Sequence, residues 1–164
     1  MIETRQAVSS EDDLFLFEVY ASSRREEVTL WGWGEEGQRQ FLQMQYSCQK
    51  RSYQMGYANL ECQIILSTGV KAGRILTALT NNEMVLVDIT LLANFQGQGI
   101  GATLLKDLQQ KAGKVGLPVR LSVFEGNPAQ RLYERMGFHP IACTGPYTIM
   151  KWINLEEESS SHRS

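Results

Sequence analysis

Histidine, cysteine and proline are scarce in this 164-residue chain, with two, three and four residues respectively. The cysteines, Cys48, Cys62 and Cys143, are odd in number and widely spaced, which excludes a disulfide framework and a paired metal-ligand motif. They are expected as small buried apolar side chains in a reducing compartment. His139 precedes Pro140 and His162 lies near the end, so neither has a partner at useful spacing and no metal site is expected. No apolar run approaches the roughly 20 residues of a membrane span. The first ten residues lack a basic region followed by an apolar run, so no secretory signal is expected and the cytoplasm is the default. An excess of one charge is missing too. Sixteen basic and 18 acidic residues give a formal net charge of −2, too little to draw nucleic acid or an anionic membrane.

What is present is ordinary globular composition, 43% hydrophobic and 21% charged. The length suits one core, and a single domain is expected over residues 1–154. Residues 155–164, acidic and then serine-rich, are expected to form a disordered tail without chemistry.

The patterning predicts mixed strands and helices, an α/β or α+β arrangement. A first strand is expected over residues 2–8. Ser9 and Ser10, followed by Glu11, Asp12 and Asp13, suit a helix N-terminus by capping and by charge. Leu14, Phe17, Val19 and Tyr20 give that short helix its apolar stripe, and residues 22–27 read as a polar loop. Trp31-Gly32-Trp33-Gly34 is too glycine-rich for a regular element. A polar helix follows from Glu35 to about Tyr53, with Phe41, Leu42, Met44 and Cys48 on one side and Gly56 at its end. Residues 61–66 and 73–79 form a hairpin about Ser67-Thr68-Gly69. After a turn at Asn81-Asn82, residues 84–92 are an almost continuous apolar run, suited to a central strand covered on both faces. Ile100, Leu104, Leu105, Leu108 and Ala112 mark the buried stripe of a later helix, and residues 119–124 the strand after it. A short helix over about 128–136 starts at Pro128 and ends at Gly137, and closing strands follow over 138–142 and 147–153.

The informative stretch is the apolar strand, then Gln96-Gly97-Gln98-Gly99-Ile100-Gly101, then a helix. Helix N-termini present unpaired N–H groups with partial positive charge, and glycine lets an anion approach that backbone. A P-loop needs Lys and then Ser or Thr after the last glycine, where Ala102 and Thr103 stand. A Rossmann fingerprint needs the first βαβ unit and an acid about 20 residues on, which are missing here. A tight turn that only packs helix on strand is the remaining alternative.

Two motifs then carry a resemblance. Gln96 to Gly101 resembles the R/Q-x-x-G-x-G/A motif of the GNAT superfamily of N-acetyltransferases. Ala129-x-x-Leu132-Tyr133-x-x-x-Gly137-Phe138 resembles that superfamily's A-x-x-L-Y-x-x-x-G-F segment. The resemblance extends over residues 2–153 and is sharpest over 85–138. It implies a GNAT-like acyl-CoA N-acyltransferase fold, with a central mixed, mostly antiparallel sheet flanked by helices and two splayed central parallel strands. It implies acetyl-CoA as co-substrate, no metal, and a small-molecule or peptide amine as acceptor. The strand at Ile89, Thr90 and Leu91 would pair with the pantetheine arm. The N–H groups of Gln96, Gly97, Gln98, Gly99, Ile100, Gly101 and Ala102 would hold the pyrophosphate. A backbone N–H near Ile89 would polarise the thioester carbonyl.

By the same resemblance Tyr133 would be the general acid for the departing thiolate, its reference pKa of about 10 keeping it protonated at neutral pH. Ala129 and Asn127 would line the cofactor. Asn127 stands two residues before Ala129, where many relatives have an asparagine three before, in the place of Gly126 here. Glu83, Asp88 and Glu125 are the carboxylates considered as general base; an Asp inside an apolar strand is equally well explained by a bond to a nearby backbone or Arg. Trp31, Trp33, Arg24, Arg25, Glu26 and Glu27 lie where the superfamily forms acceptor pockets. No cysteine lies in the motif region, which favours direct transfer over an acetyl-enzyme. A non-catalytic acyl-CoA sensor is the alternative from another class. The strand over 147–153 is one that can pair across a homodimer.

Overall fold

A computed structural model describes residues 1–154; the acidic and serine-rich stretch named above lies outside them. The elements run β1 (Ile2–Gln6), α1 (Ser9–Thr29), α2 (Glu35–Gly56), β2 (Leu60–Ser67), β3 (Val70–Leu79), β4 (Met84–Leu91), a 3-10 turn (Ala93–Phe95), α3 (Ile100–Lys114), β5 (Val119–Phe124), α4 (Ala129–Arg135), β6 (His139–Thr144) and β7 (Tyr147–Trp152). One seven-stranded sheet has the order β1-β2-β3-β4-β5-β7-β6. β4 and β5 pair in parallel, whereas β1/β2, β5/β7 and β6/β7 pair antiparallel. The chain divides into two compact units, residues 1–76 with 88–98, and residues 77–87 with those from 99 onward.

In the first unit, α1 and α2 share a core of Phe17, Tyr20, Ala21, Val28 and Leu42, with Phe41 and Tyr46 packed against it. The Tyr46 ring lies 5.9 Å from Phe17 and 5.5 Å from Tyr20, at the tilted angles aromatic pairs prefer. The expected loop over residues 22–27 is instead helical, and α1 runs unbroken for 21 residues. The Ser22 and Ser23 hydroxyls turn back onto the Val19 and Tyr20 carbonyls, and Arg24 pairs with Glu27 one turn on. The polar groups are thus satisfied inside the helix, while Val28 extends the buried stripe. The expected cap also differs. Ser9 and Ser10 lie inside the helix, and the Val8 N–H donates at 2.8 Å to Asp12.

Asp12 is fully buried and accepts four hydrogen bonds: two from the Arg5 guanidinium (2.8 and 2.9 Å), one from Val8, one from Lys71 at 3.1 Å. A buried carboxylate is tolerable only with such a set of donors. The cysteines depart from expectation: Cys48 and Cys143 are exposed, and Cys62 is half-buried, with burial pushing its thiol pKa up. Met44 is exposed as well, so the apolar face of α2 is narrower than its spacing suggests.

The β2–β3 hairpin turns on Thr68 (φ 48°) and Gly69 (φ 80°), the left-handed pair that a two-residue turn of this twist requires. In the second unit, every residue of the expected stripe of α3, from Ile100 to Ala112, is buried, as are Val119, Leu121 and Val123 of β5. Gln109 of α3 donates at 2.8 Å to the Met136 carbonyl just past α4, which satisfies a helix-end acceptor.

The Asp12 site makes stability depend on pH in a known direction. The Arg5 hydrogen bonds, then the Val8 N–H, hold this carboxyl well below the usual carboxylate range, against the effect of burial. Its contribution is therefore complete above the unfolded value of about 3.9 and is lost as pH falls below it toward the depressed folded value. Asp12→Asn should lower the urea midpoint at pH 7, and that difference from wild type should shrink as pH drops below about 4. A difference constant from pH 7 to pH 2 would contradict the assignment.

Candidate active site

β4 is fully buried only at Val85 and Leu86; from Val87 to Leu91 it is half-buried, so the expected cover on both faces holds for part of its length. Its parallel register with β5 spans three pairs, Met84↔Val119 to Leu86↔Leu121, and both strands run on beyond it. At the strand's end the Leu92 N–H donates at 2.8 Å to Ala72 of β3. A feature not anticipated from the sequence lies one residue on. A Cβ at Gly73 would stand 2.1 Å from the Thr90 carbonyl oxygen and 3.0 Å from Leu91 Cα. A glycine inside a strand is the sequence signal for such a close backbone approach.

After β4 the chain makes the 3-10 turn and enters the glycine segment. The Gln96 side chain donates at 3.0 Å to Leu91, and the Gln98 side chain at 2.9 Å to Asn94, so both amides brace the turn itself. The Gln96 N–H is spent on Ala93, which removes it from the expected set of anion donors. Gly97 (φ 74°) and Gly99 (φ 78°) occupy the left-handed region with open space where a Cβ would be, so torsion and not crowding demands glycine there. The first bond of α3 runs from Thr103 to Gly99, with the Thr103 hydroxyl on the same carbonyl at 3.0 Å. The N–H groups of Ile100, Gly101 and Ala102 precede that bond, at the positive end of a 15-residue helix.

Two of the three candidate carboxylates, Asp88 and Glu83, are engaged through their side chains. Asp88 Oδ2 accepts from Arg74 Nε at 2.9 Å and from the Thr90 hydroxyl at 3.0 Å. Glu83, just before β4, accepts from Arg120 at 2.7 Å and faces Lys151 at 3.7 Å. Glu125 is exposed past the end of β5, its N–H bonded to Pro146.

In the second unit the Asn127 side-chain oxygen accepts the Ala129 N–H at 2.9 Å and so caps α4. Tyr133 is 8% exposed, and its ring meets Phe138 edge-on at 6.0 Å. Its carbonyl receives the Met136 and Phe138 N–H groups. A Cβ on Gly101 would reach Leu132 at an ordinary 3.5 Å, and one on Gly137 would press on Trp152 at 3.3 Å. In the first unit a cavity of about 730 Å³ is lined by Phe17, Ala21, Leu42, the acids Glu18, Glu35 and Glu36, and Arg25 and Arg39 among others. Trp31 and Trp33, both partly exposed, pack on each other and on Phe41 at 5.1–5.4 Å. Arg24 bonds to Glu27 and to the Tyr20 hydroxyl. Among the described residues no cluster of three His, Cys, Asp or Glu side chains could hold a metal, and no helix is long and apolar enough to cross a membrane.

Residues 16–138 match the sequence profile described as the Acetyltransferase (GNAT) family. The chain belongs to that family. No curated protein is similar enough in sequence to count as a match. Solved structures similar to this acetyltransferase include the PaiA N-acetyltransferase of Thermoplasma acidophilum in complex with coenzyme A, at 23% identity and TM-score 0.70, covering 94% of this chain and 99% of that one. The ribosomal-protein-S18-alanine N-acetyltransferase of Escherichia coli matches at 19% identity and TM-score 0.59, covering 93% and 94%. A GNAT family acetyltransferase of Elizabethkingia anophelis with acetyl-CoA bound matches at 16% identity and TM-score 0.58, covering 93% and 98%. At these identities the likeness is one of fold. The mostly antiparallel sheet with one parallel pair is the fold that the two motifs imply.

The glycine geometry of this GNAT chain separates two positions that look alike in sequence. Gly99→Ala places a Cβ in the left-handed region and should cost about 1–2 kcal/mol. Gly101→Ala lies inside α3 with room for the methyl, and should be neutral or stabilise by up to about 1 kcal/mol. Urea unfolding of the two variants checks the contrast; equal effects would refute the torsional reading.

Proposed function

We propose that this protein moves an acetyl group from acetyl-CoA to a primary amine by direct transfer in a ternary complex. The observation that carries the reading is the sequence of elements at the end of β4: a strand, a turn with two left-handed glycines, and the amino end of α3 with its unbonded N–H groups. That end suits a pyrophosphate, and family membership supplies the donor. In this reading the N–H groups from Gly97 to Ala102 hold the pyrophosphate and the backbone of Ile89, Thr90 and Leu91 pairs with the pantetheine arm. The Gln96 and Asn127 side chains shape the site through their own internal bonds.

The amine nitrogen attacks the thioester carbonyl carbon, and its oxygen takes the developing charge toward a backbone N–H near Ile89. The carbon–sulfur bond then breaks, the Tyr133 phenol gives its proton to the thiolate, and the surplus proton of the new amide nitrogen returns to the Tyr133 phenolate through water. The acceptor arrives as an ammonium and must shed a proton first. Asp88 Oδ2 already takes two donors and Glu83 faces two cations, so we assign this proton to water instead of either carboxylate. For the acceptor, Glu35 and Glu36 of the cavity support a cationic amine, Glu18 being paired there with Arg25 and Arg39.

Calorimetric titration with acetyl-CoA, with ADP as control, tests the donor site. Binding of acetyl-CoA in preference to ADP is the expected result, and no heat at millimolar ligand would sink the transferase reading. Tyr133→Phe should keep acetyl-CoA affinity while turnover falls by about 100-fold or more. Unchanged turnover would remove Tyr133 from the general-acid role.

A further inference from the structure

Arg74 lies inside β3 and is 5% exposed, too deep for a guanidinium unless its charge and donors are matched. Its Nε donates to Asp88 Oδ2 and its Nη2 to Gln49 Oε1, both at 2.9 Å. The Thr90 hydroxyl donates to the same Asp88 oxygen at 3.0 Å. The network therefore runs from α2 through β3 to β4 and closes on the residues either side of Ile89. The two preceding residues of β3 hold the same stretch by other means. The Ala72 carbonyl accepts the Leu92 N–H at 2.8 Å, and Gly73 leaves the space that the Thr90 carbonyl fills. Ala72, Gly73 and Arg74 thus fix β4 from Asp88 to Leu92 by a backbone bond, a steric allowance and an ion pair.

We propose that Arg74 is a positioning residue for acyl transfer, fixing with Gly73 the backbone of Asp88 to Leu91, and that Asp88 is its anchor and not a proton acceptor. The inference rests on the acetyl-transfer reading above. An oxyanion donor works only within a few tenths of an ångström of its hydrogen-bond distance, and a misplacement of about 1 Å costs about 100-fold in rate. The parallel register of β4 with β5 ends at Leu86, so the strand beyond it is set from the β3 side. In this proposal Arg74 acts through Asp88.

The decisive readout is the ¹³C resonance of acetyl-CoA labelled at the acetyl carbonyl, bound to the full-length protein, because it reports polarisation by the backbone N–H without need of an acceptor. The wild type should shift this resonance downfield from its position in free acetyl-CoA. Arg74→Met and Asp88→Asn should both return it toward the free position, with turnover lowered about 10- to 100-fold and affinity for CoA lowered by less than turnover, since the same backbone is proposed to pair with the pantetheine arm while the pyrophosphate contacts remain. Arg74→Lys, which keeps the charge and loses the fork, should fall between. If Arg74→Met does not fold, Gln49→Leu removes one of the two partners of Arg74 without stranding a charge, and should move the resonance the same way by less. An unchanged bound resonance in the folded variants overturns the proposal. So does a loss of CoA affinity as large as the loss of turnover, which would mark a purely structural role. A wild type that fails to bind acetyl-CoA overturns the acetyl-transfer reading and this inference with it, whereas failure confined to the variants overturns this inference alone.

Discussion

The Thr90 carbonyl lies where a side chain on Gly73 would be, and the course of the chain into the glycine turn depends on that approach. Because β3 and β4 can close up there, Leu92 reaches Ala72, and the 3-10 turn starts from a fixed point. The Gln96 amide then bonds back to Leu91, so the turn is fastened to the strand it leaves. Each step is local and polar, and each satisfies a backbone group that would otherwise be stranded at a strand end. The turn is thus shaped by the strand before it as much as by its own glycines.

How much of this was legible in the sequence follows from how local each cause is. Gly97 and Gly99 were readable because their requirement is torsional and belongs to single residues. The α3 stripe was readable because helix periodicity needs no partner, and all five of its marked residues are buried. Residues 22–27 were misread because polar composition resembles a loop, although serine hydroxyls and an i,i+3 ion pair can satisfy themselves inside a helix. Asp12 reads correctly as a helix-start acid, but its partners Arg5 and Lys71 come from β1 and β3, and no spacing rule joins them. Arg74 and Asp88 pair across neighbouring strands, which requires the register that a single sequence leaves open. Gly73 stood at the start of the expected strand, and only the structure, where the strand begins at Val70, makes it an interior glycine with the Thr90 carbonyl against it.

The charge balance has the same local character. The near-neutral total conceals a set of specific pairs: Asp12 with Arg5 and Lys71, Asp88 with Arg74, Glu83 with Arg120 and Lys151. In each the acid sits at a strand or helix end or inside a strand, where backbone geometry is most easily lost. The exposed pairs, such as Arg24 with Glu27, contribute little by comparison, since water competes for both partners. A composition count that reads this chain as featureless in charge therefore misses where its charges act.

The second motif answers a different need. A seven-residue helix such as α4 is not stable alone, so a side chain it carries has a fixed position only if other elements hold the helix. Asn127 caps its start, Gln109 of α3 bonds the Met136 carbonyl at its end, and Leu132 at its middle packs at van der Waals distance from the Gly101 position of α3. Gly137 supplies the left-handed turn that lets Phe138 return against Tyr133. Two of these four constraints come from α3, whose first turn carries the N–H groups proposed for the anion. Tyr133 and that first turn are therefore referenced to one helix. This gives a physical reason for a leucine to stand beside the tyrosine and for a glycine to end the turn: the spacing records contact between α3 and α4, and the tyrosine inherits its place from it.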